Sequence, residues 1–121
     1  MQKLTSKQLE LLNRRKIVIL ATSSKQGQPR AIFVETNRID NNKIIITDNE
    51  MKNTKANFLE NKNVFLLAFE NDYSYCLKIK GTIEYYAEGE YFDFVKSYDS
   101  NKNRRPQGAL VVNIDEIREF S

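Results

Sequence analysis

Between Thr47 and Leu59 the chain reads Thr-Asp-Asn-Glu-Met-Lys-Asn-Thr-Lys-Ala-Asn-Phe-Leu. Lys52, Asn53, Thr54 and Lys55 place two ammonium groups, an amide and a hydroxyl within one helical turn. Lys52 to Glu60 is predicted to be a short helix. A helix start carries N–H groups without intrahelical acceptors and the positive end of the dipole, so it suits a phosphate or another anion. The spacing therefore suggests a phosphate cradle, while a plain solvated helix start fits the same few residues. Other chemistry is narrowed by what is missing. The chain has no histidine, which removes histidine acid–base catalysis and triads and argues against a transition-metal site. Glu35 is a candidate acid or base, but no catalytic residue is assigned.

The elements that must position this stretch can be read in order. Thr5 and Gln8 have capping-box spacing, and Leu4, Leu11 and Leu12 line one side of a first helix. Arg14, Arg15 and Lys16 follow as its basic, solvated end. Ile17 to Thr22 and Arg30 to Thr36 read as strands joined by a turn through Gly27 and Pro29. A polar turn over Asn37 to Asn42 leads to a third strand, Lys43 to Thr47. Val64 to Phe69 is continuously apolar, as in a strand buried on both faces. Tyr75 to Glu84 alternates, and Gly81 interrupts the inward series, which predicts a bend, a bulge or close backbone approach. Tyr91, Phe94, Val95 and Tyr98 have helical spacing. Ala109 to Ile114 alternates again, with the end of the chain read as a turn and tail. Six strands with short connections and three short helices predict a mainly β protein: a closed antiparallel barrel in one domain, 1–121.

Composition fits this reading. With 40% hydrophobic and 29% charged residues, the chain can bury a modest core. Its net charge of +3 is mild and the signs are interspersed, so a nucleic-acid partner through lysines and tyrosines ranks last. The single cysteine, Cys76, fits a reducing cytoplasm. No apolar run is long enough to span a bilayer, and no signal peptide is expected.

The ordered set of features resembles the FMN-binding split barrel family related to pyridoxamine 5′-phosphate oxidase. The features are a strand ending in Ala21-Thr22, the Gly27-x-Pro29 turn, a strand ending in Thr47-Asp48, and Met51 to Leu59. Lys80-Gly81-Thr82-Ile83 and Gly108 to Val112 complete them. The resemblance implies a six-stranded Greek-key split barrel, a homodimer, and FMN in grooves at the dimer interface. A deazaflavin or haem ranks behind FMN. It places phosphate contacts at Lys52, Asn53 and Thr54, with Asn53 standing where relatives often carry a lysine. Ribityl and ring contacts fall to Val34, Glu35, Thr36, Thr47 and Asp48, and Arg104 and Arg105 lie in a loop able to reach the partner's cofactor. The implied activity is hydride or electron transfer between small molecules through the flavin, with a non-catalytic electron carrier as the alternative. Tyr73, Tyr75, Tyr85 and Tyr86 are read as packing residues before stacking ones. Cys76 is read as a packed strand residue.

Overall fold

A computed structural model describes residues 3–98, 101 and 103–120. Six strands close into an antiparallel barrel in the order β1-β2-β3-β6-β5-β4. They are β1 (Ile17–Ser23), β2 (Pro29–Asp40), β3 (Lys43–Asp48), β4 (Asn63–Phe69), β5 (Cys76–Tyr86) and β6 (Gly108–Phe120). Closure leaves no long sheet edge unpaired. The helices are α1 (Ser6–Arg14), α2 (Lys52–Glu60) and α3 (Glu90–Ser97). The mainly β class, the barrel and the elements all follow the sequence reading.

Each helix has a distinct post. The α1 capping box forms: Gln8 N–H donates to Thr5 Oγ1 (3.2 Å) and Thr5 N–H to Gln8 Oε1 (2.9 Å). Leu11 and Leu12 then enter the barrel core with Val18, Leu20, Ile44, Ile46, Phe58, Leu66, Leu77, Ile79, Ile83 and Leu110. Helix α2 crosses from β3 to β4 and packs on β1 and β2. Helix α3 covers the outside of β3 and β6, where Ile45, Val95, Ala109 and Val111 form a second buried cluster. The outer face of β1, β2, β4 and β5 carries a different surface. Phe33, Ile19, Leu67 and Lys78 stand in one cross-strand row.

Four segments depart from the sequence reading. The second polar turn is only Asn41-Asn42, because β2 continues to Asp40 through an irregularity between Thr36 and Arg38. Both asparagines adopt positive φ (47° and 67°), as a two-residue type I′ turn requires. The expected tail beyond Ile114 is strand. Gly81 pairs with Ile114 but Lys80 pairs with Glu116, so a bulge shifts the register and the inward residues run Val112, Ile114, Ile117. That skip destroys the period of two on which strand recognition rests. In α2 the buried residues are Thr54, Asn57 and Phe58, while Leu59 faces solvent. Strand β4 is also buried on one face only; Phe65, Leu67 and Phe69 are half-exposed.

The expectation for Gly81 holds. A Cβ there would stand 2.5 Å from the Asn113 carbonyl oxygen and 2.8 Å from Val112 Cγ1. Backbone cannot yield as a side-chain tip can. Gly81→Ala is therefore expected to lower the unfolding free energy by about 1–3 kcal/mol, the usual cost of overpacking. Chemical denaturation checks this, and an unchanged midpoint would mean that β5 and β6 are not so closely apposed.

Candidate functional site

The end of β3 makes the site. Asp48 is fully buried, and its carboxylate is held from three directions. Oδ1 accepts from the backbone N–H of Glu50 (3.0 Å) and Met51 (2.8 Å), and Oδ2 accepts from the Tyr85 hydroxyl (2.7 Å). A buried carboxylate needs this number of donors to offset its desolvation. The bonds also shape the loop. Met51 occupies the N-cap of α2 without a side-chain cap of its own, so Asp48 satisfies its N–H from three residues upstream. Glu50 is fixed at φ 124°, a backbone region that favours glycine.

Tyr85 is positioned just as tightly. Its ring lies over Gly108, where a Cβ would come within 2.3 Å of it. Phe58 packs against the ring at 5.5 Å between centroids, and Lys55 Nζ sits 4.8 Å above it. Burial, then the Asp48 carboxylate, raises the phenol well above its ordinary pKa. The proton therefore stays on the tyrosine.

Two adjoining cavities open beside this loop, sharing Ile32, Glu50 and Met51. The first, about 240 Å³, is lined by β2 from Ile32 to Glu35, by Asn37, Thr47 and Asn49, and by Asn101 and Arg104 from the loop after α3. Its polar wall mixes the neutral Asn37, Thr47, Asn49 and Asn101 with the charged Glu35, Glu50 and Arg104. The second, about 580 Å³, is lined by Pro29, Arg30 and Ala31 and by Lys52, Asn53 and Thr54 at the start of α2. Two cations and a helix start make this end suited to an anion. Glu50 stands at the seam between them.

The structure therefore gathers Val34, Glu35, Thr47 and Arg104 around the first cavity and Lys52, Asn53 and Thr54 around the second. It does not bring Thr36, Asp48 or Arg105 to either wall. Thr36 is buried and its hydroxyl donates to the Lys16 carbonyl (3.2 Å). Asp48 points inward, as described, and Arg105 is exposed in its loop. The sequence reading missed Arg30, Asn37, Asn49 and Asn101. Arg30 opens a strand and Asn37 occupies the β2 irregularity, positions at which nothing local signals a site. None of the tyrosines lines either of these two cavities: Tyr73 is exposed and Tyr86 packs on Tyr91 at 5.2 Å. Burial pushes the Cys76 thiol pKa up, as for a packed thiol rather than a reactive one.

With this geometry in view, likeness to known proteins can be stated. The family profile described as pyridoxamine 5′-phosphate oxidase matches residues 4–121. This chain belongs to that family. An uncharacterised protein of Methanocaldococcus jannaschii is 36% identical, across 95% of this chain and 79% of its own length. Among solved structures, HupZ of Group A Streptococcus superposes with a TM-score of 0.85 at 21% identity, covering 98% of this chain and 94% of that one. A putative pyridoxamine 5′-phosphate oxidase of Lactobacillus delbrueckii gives 0.81 at 21%, with 98% and 94% covered. An FMN-binding protein of Syntrophomonas wolfei gives 0.73 at 24%, with 93% and 82% covered. At these identities the structures speak for the fold. Among the described residues no helix is long and apolar enough to cross a membrane, and no cluster of three or more metal-ligating side chains occurs.

The Asp48–Tyr85 bond has a measurable consequence. A phenol whose folded pKa lies above its unfolded value stabilises the fold fully below about pH 10, and that contribution is lost as pH rises beyond it. Tyr85→Phe should cost about 1–3 kcal/mol at neutral pH, because the buried carboxylate loses one of its donors. It should also flatten the alkaline fall in stability, although Tyr75, pushed up to about 12 chiefly by burial, retains part of it. Denaturation midpoints of both proteins from pH 7 to 11 test the coupling, and parallel curves would refute it.

Proposed function

We propose that the two adjoining cavities hold FMN and that the protein is a flavin-dependent oxidoreductase. The observation that carries this reading is the division of labour between the cavities, within a fold of this family. One end offers Arg30, Lys52 and the first turn of α2, the chemistry a phosphate needs. The other offers uncharged amides beside Ile32, Phe33 and Val34, the chemistry a flat heteroaromatic ring needs. Bound flavin would supply hydride or electron transfer between a small donor and a small acceptor. The protein's part is to bind and orient it. Arg30 and Lys52 neutralise the phosphate, Asp48 holds the loop that presents the helix start, and the β2 backbone from Ile32 to Glu35 forms a wall.

The fit favours FMN over haem, since the chain has no histidine to ligate an iron. The titratable side chains lining the cavities are Arg30, Glu35, Glu50, Lys52 and Arg104. That set lacks a group with a natural pKa near neutrality, which favours one second reading: a flavoprotein that carries electrons to a protein partner without turning over a substrate.

A second copy of the chain completes this proposal. Phe33 is 71% exposed and Ile17 53%, and Phe33 borders both the first cavity and an apolar depression of about 500 Å³ formed with Ile19, Leu67, Phe69, Tyr73 and Cys76. A patch of this character on a sheet face suits self-association. A partner seated there would also wall the first cavity and shield a ring from water.

Absorbance of the purified protein, followed by titration with FMN and riboflavin, tests the cofactor. Lys52→Ala should weaken FMN binding roughly tenfold and leave riboflavin binding unchanged, because one charge-assisted phosphate contact is lost. Equal loss for both ligands would place the phosphate elsewhere, and no flavin binding would overturn the reading. Turnover of reduced nicotinamide separates the enzyme from the carrier. Phe33→Glu should yield a monomer on sedimentation and lose most flavin affinity; an unchanged mass would discard this face as the dimer contact.

A further inference from the structure

Among the described residues lining the two cavities, only Glu50 has a positive φ. At 124° the backbone suits glycine, and an L side chain there costs stability. The turn does not need that side chain in order to form. Asp48 Oδ1 holds the loop through the backbone N–H groups of Glu50 and Met51, a contact that any residue but proline would make at position 50. The Glu50 side chain is exposed, and its carboxylate makes no hydrogen bond or ion pair with the described residues. It strains the loop and contributes no bond to the fold. Strain of this kind clusters at binding sites, where the surroundings hold it in place.

A second, independent observation gives the side chain its place. Three described residues line both cavities: Ile32, Glu50 and Met51. Ile32 and Met51 are apolar and pack against the barrel core. The carboxylate is therefore the polar side chain at the seam, between the cationic end with Arg30 and Lys52 and the end bounded by β2. A carboxylate accepts hydrogen bonds and repels a phosphate. What crosses the seam beside it has to donate. We infer that Glu50 is a specificity-determining residue that accepts hydrogen bonds from hydroxyls on the chain joining a ligand's ring to its phosphate, so that the site takes ligands with a polyol linker. The inference rests on the flavin reading, in which that linker is the ribityl chain. Because Asp48 fixes the backbone at position 50, the Glu50 Cα–Cβ bond is aimed before any ligand arrives.

Three probes separate the parts of the ligand: FMN, riboflavin, which lacks the phosphate, and lumiflavin, which has the ring without the ribityl chain. Glu50→Ala keeps the backbone N–H and removes the carboxylate. Its affinity for FMN and for riboflavin should fall about tenfold, the loss of one charge-assisted hydrogen bond. Its affinity for lumiflavin should be unchanged. Glu50→Gly should show the same pattern of binding. In the absence of flavin it should also unfold at a higher denaturant concentration than either Glu50→Ala or the unaltered protein, because glycine relieves the strain. Equal losses for all three ligands would mean a damaged loop, and unchanged riboflavin affinity would mean no contact with the linker. Tighter FMN binding with unchanged riboflavin binding would set the carboxylate against the phosphate. Each of these results, or a glycine variant no more stable than the alanine one, would overturn the role of Glu50 while leaving FMN binding intact. Absence of all flavin binding in the unaltered protein would overturn both readings.

Discussion

The buried charge of Asp48 is the constraint from which the site follows. A carboxylate with no exposure must collect donors, and the three donors it collects come from two parts of the chain. Two are backbone N–H groups of the loop that begins α2. The third is Tyr85 on β5, whose ring can reach because position 108 is glycine. A single interaction therefore fixes where β3 stops, how the loop turns, and where the helix start points. The positive φ of Glu50 is held in place by the same bonds, since Glu50 N–H is one of them. A flexible loop there would have to be ordered at each binding event; this one is ordered in advance, which is where rigid sites gain affinity.

Much of this was legible in the chain itself, and the exceptions share a cause. Thr5 and Gln8, Lys43 to Thr47, Lys52 to Glu60 and Gly81 announce their elements by local chemistry, and the structure agrees with them to within a residue. The tail beyond Ile114 was hidden because the bulge opposite Gly81 inserts a residue into the alternation. A pattern reader counting by two loses the strand at that point, although the pairing continues to Phe120. The longer β2 was hidden for the same reason, with Asn37 at the irregularity and a turn of only two residues. Both bulges re-aim side chains, and one of them delivers Asn37 to the cavity.

The site residues divide along similar lines. Lys52, Asn53 and Thr54 were visible because a helix start is a local object with a local chemistry. Asn101 was not, because its role comes from tertiary bonds to Val95, Thr47 and Asn49, and a lone asparagine in a polar loop carries no such mark. Asp48 was visible as part of the site, but the direction of its side chain was not. Its position at the end of β3 suggested contact with a ligand, whereas full burial makes it the support behind the residues that line the cavity. Sequence position reports which residues are near a site; the direction a side chain takes is a matter of packing.

The same distinction bears on why this fold serves many reactions. A helix start flanked by cations suits a phosphate, a requirement common to any ligand bearing one. The donor–acceptor sense of the amides beside the first cavity depends on bonds in the loop after α3. Neither part supplies a proton or a nucleophile of matched pKa, so the chemistry is left to whatever the site binds. What remains free to vary is the surface around Phe33, where the apolar sheet face meets the cavity mouth. A residue 71% exposed and shared between a cavity and an apolar face ties whatever docks on the one to whatever enters the other.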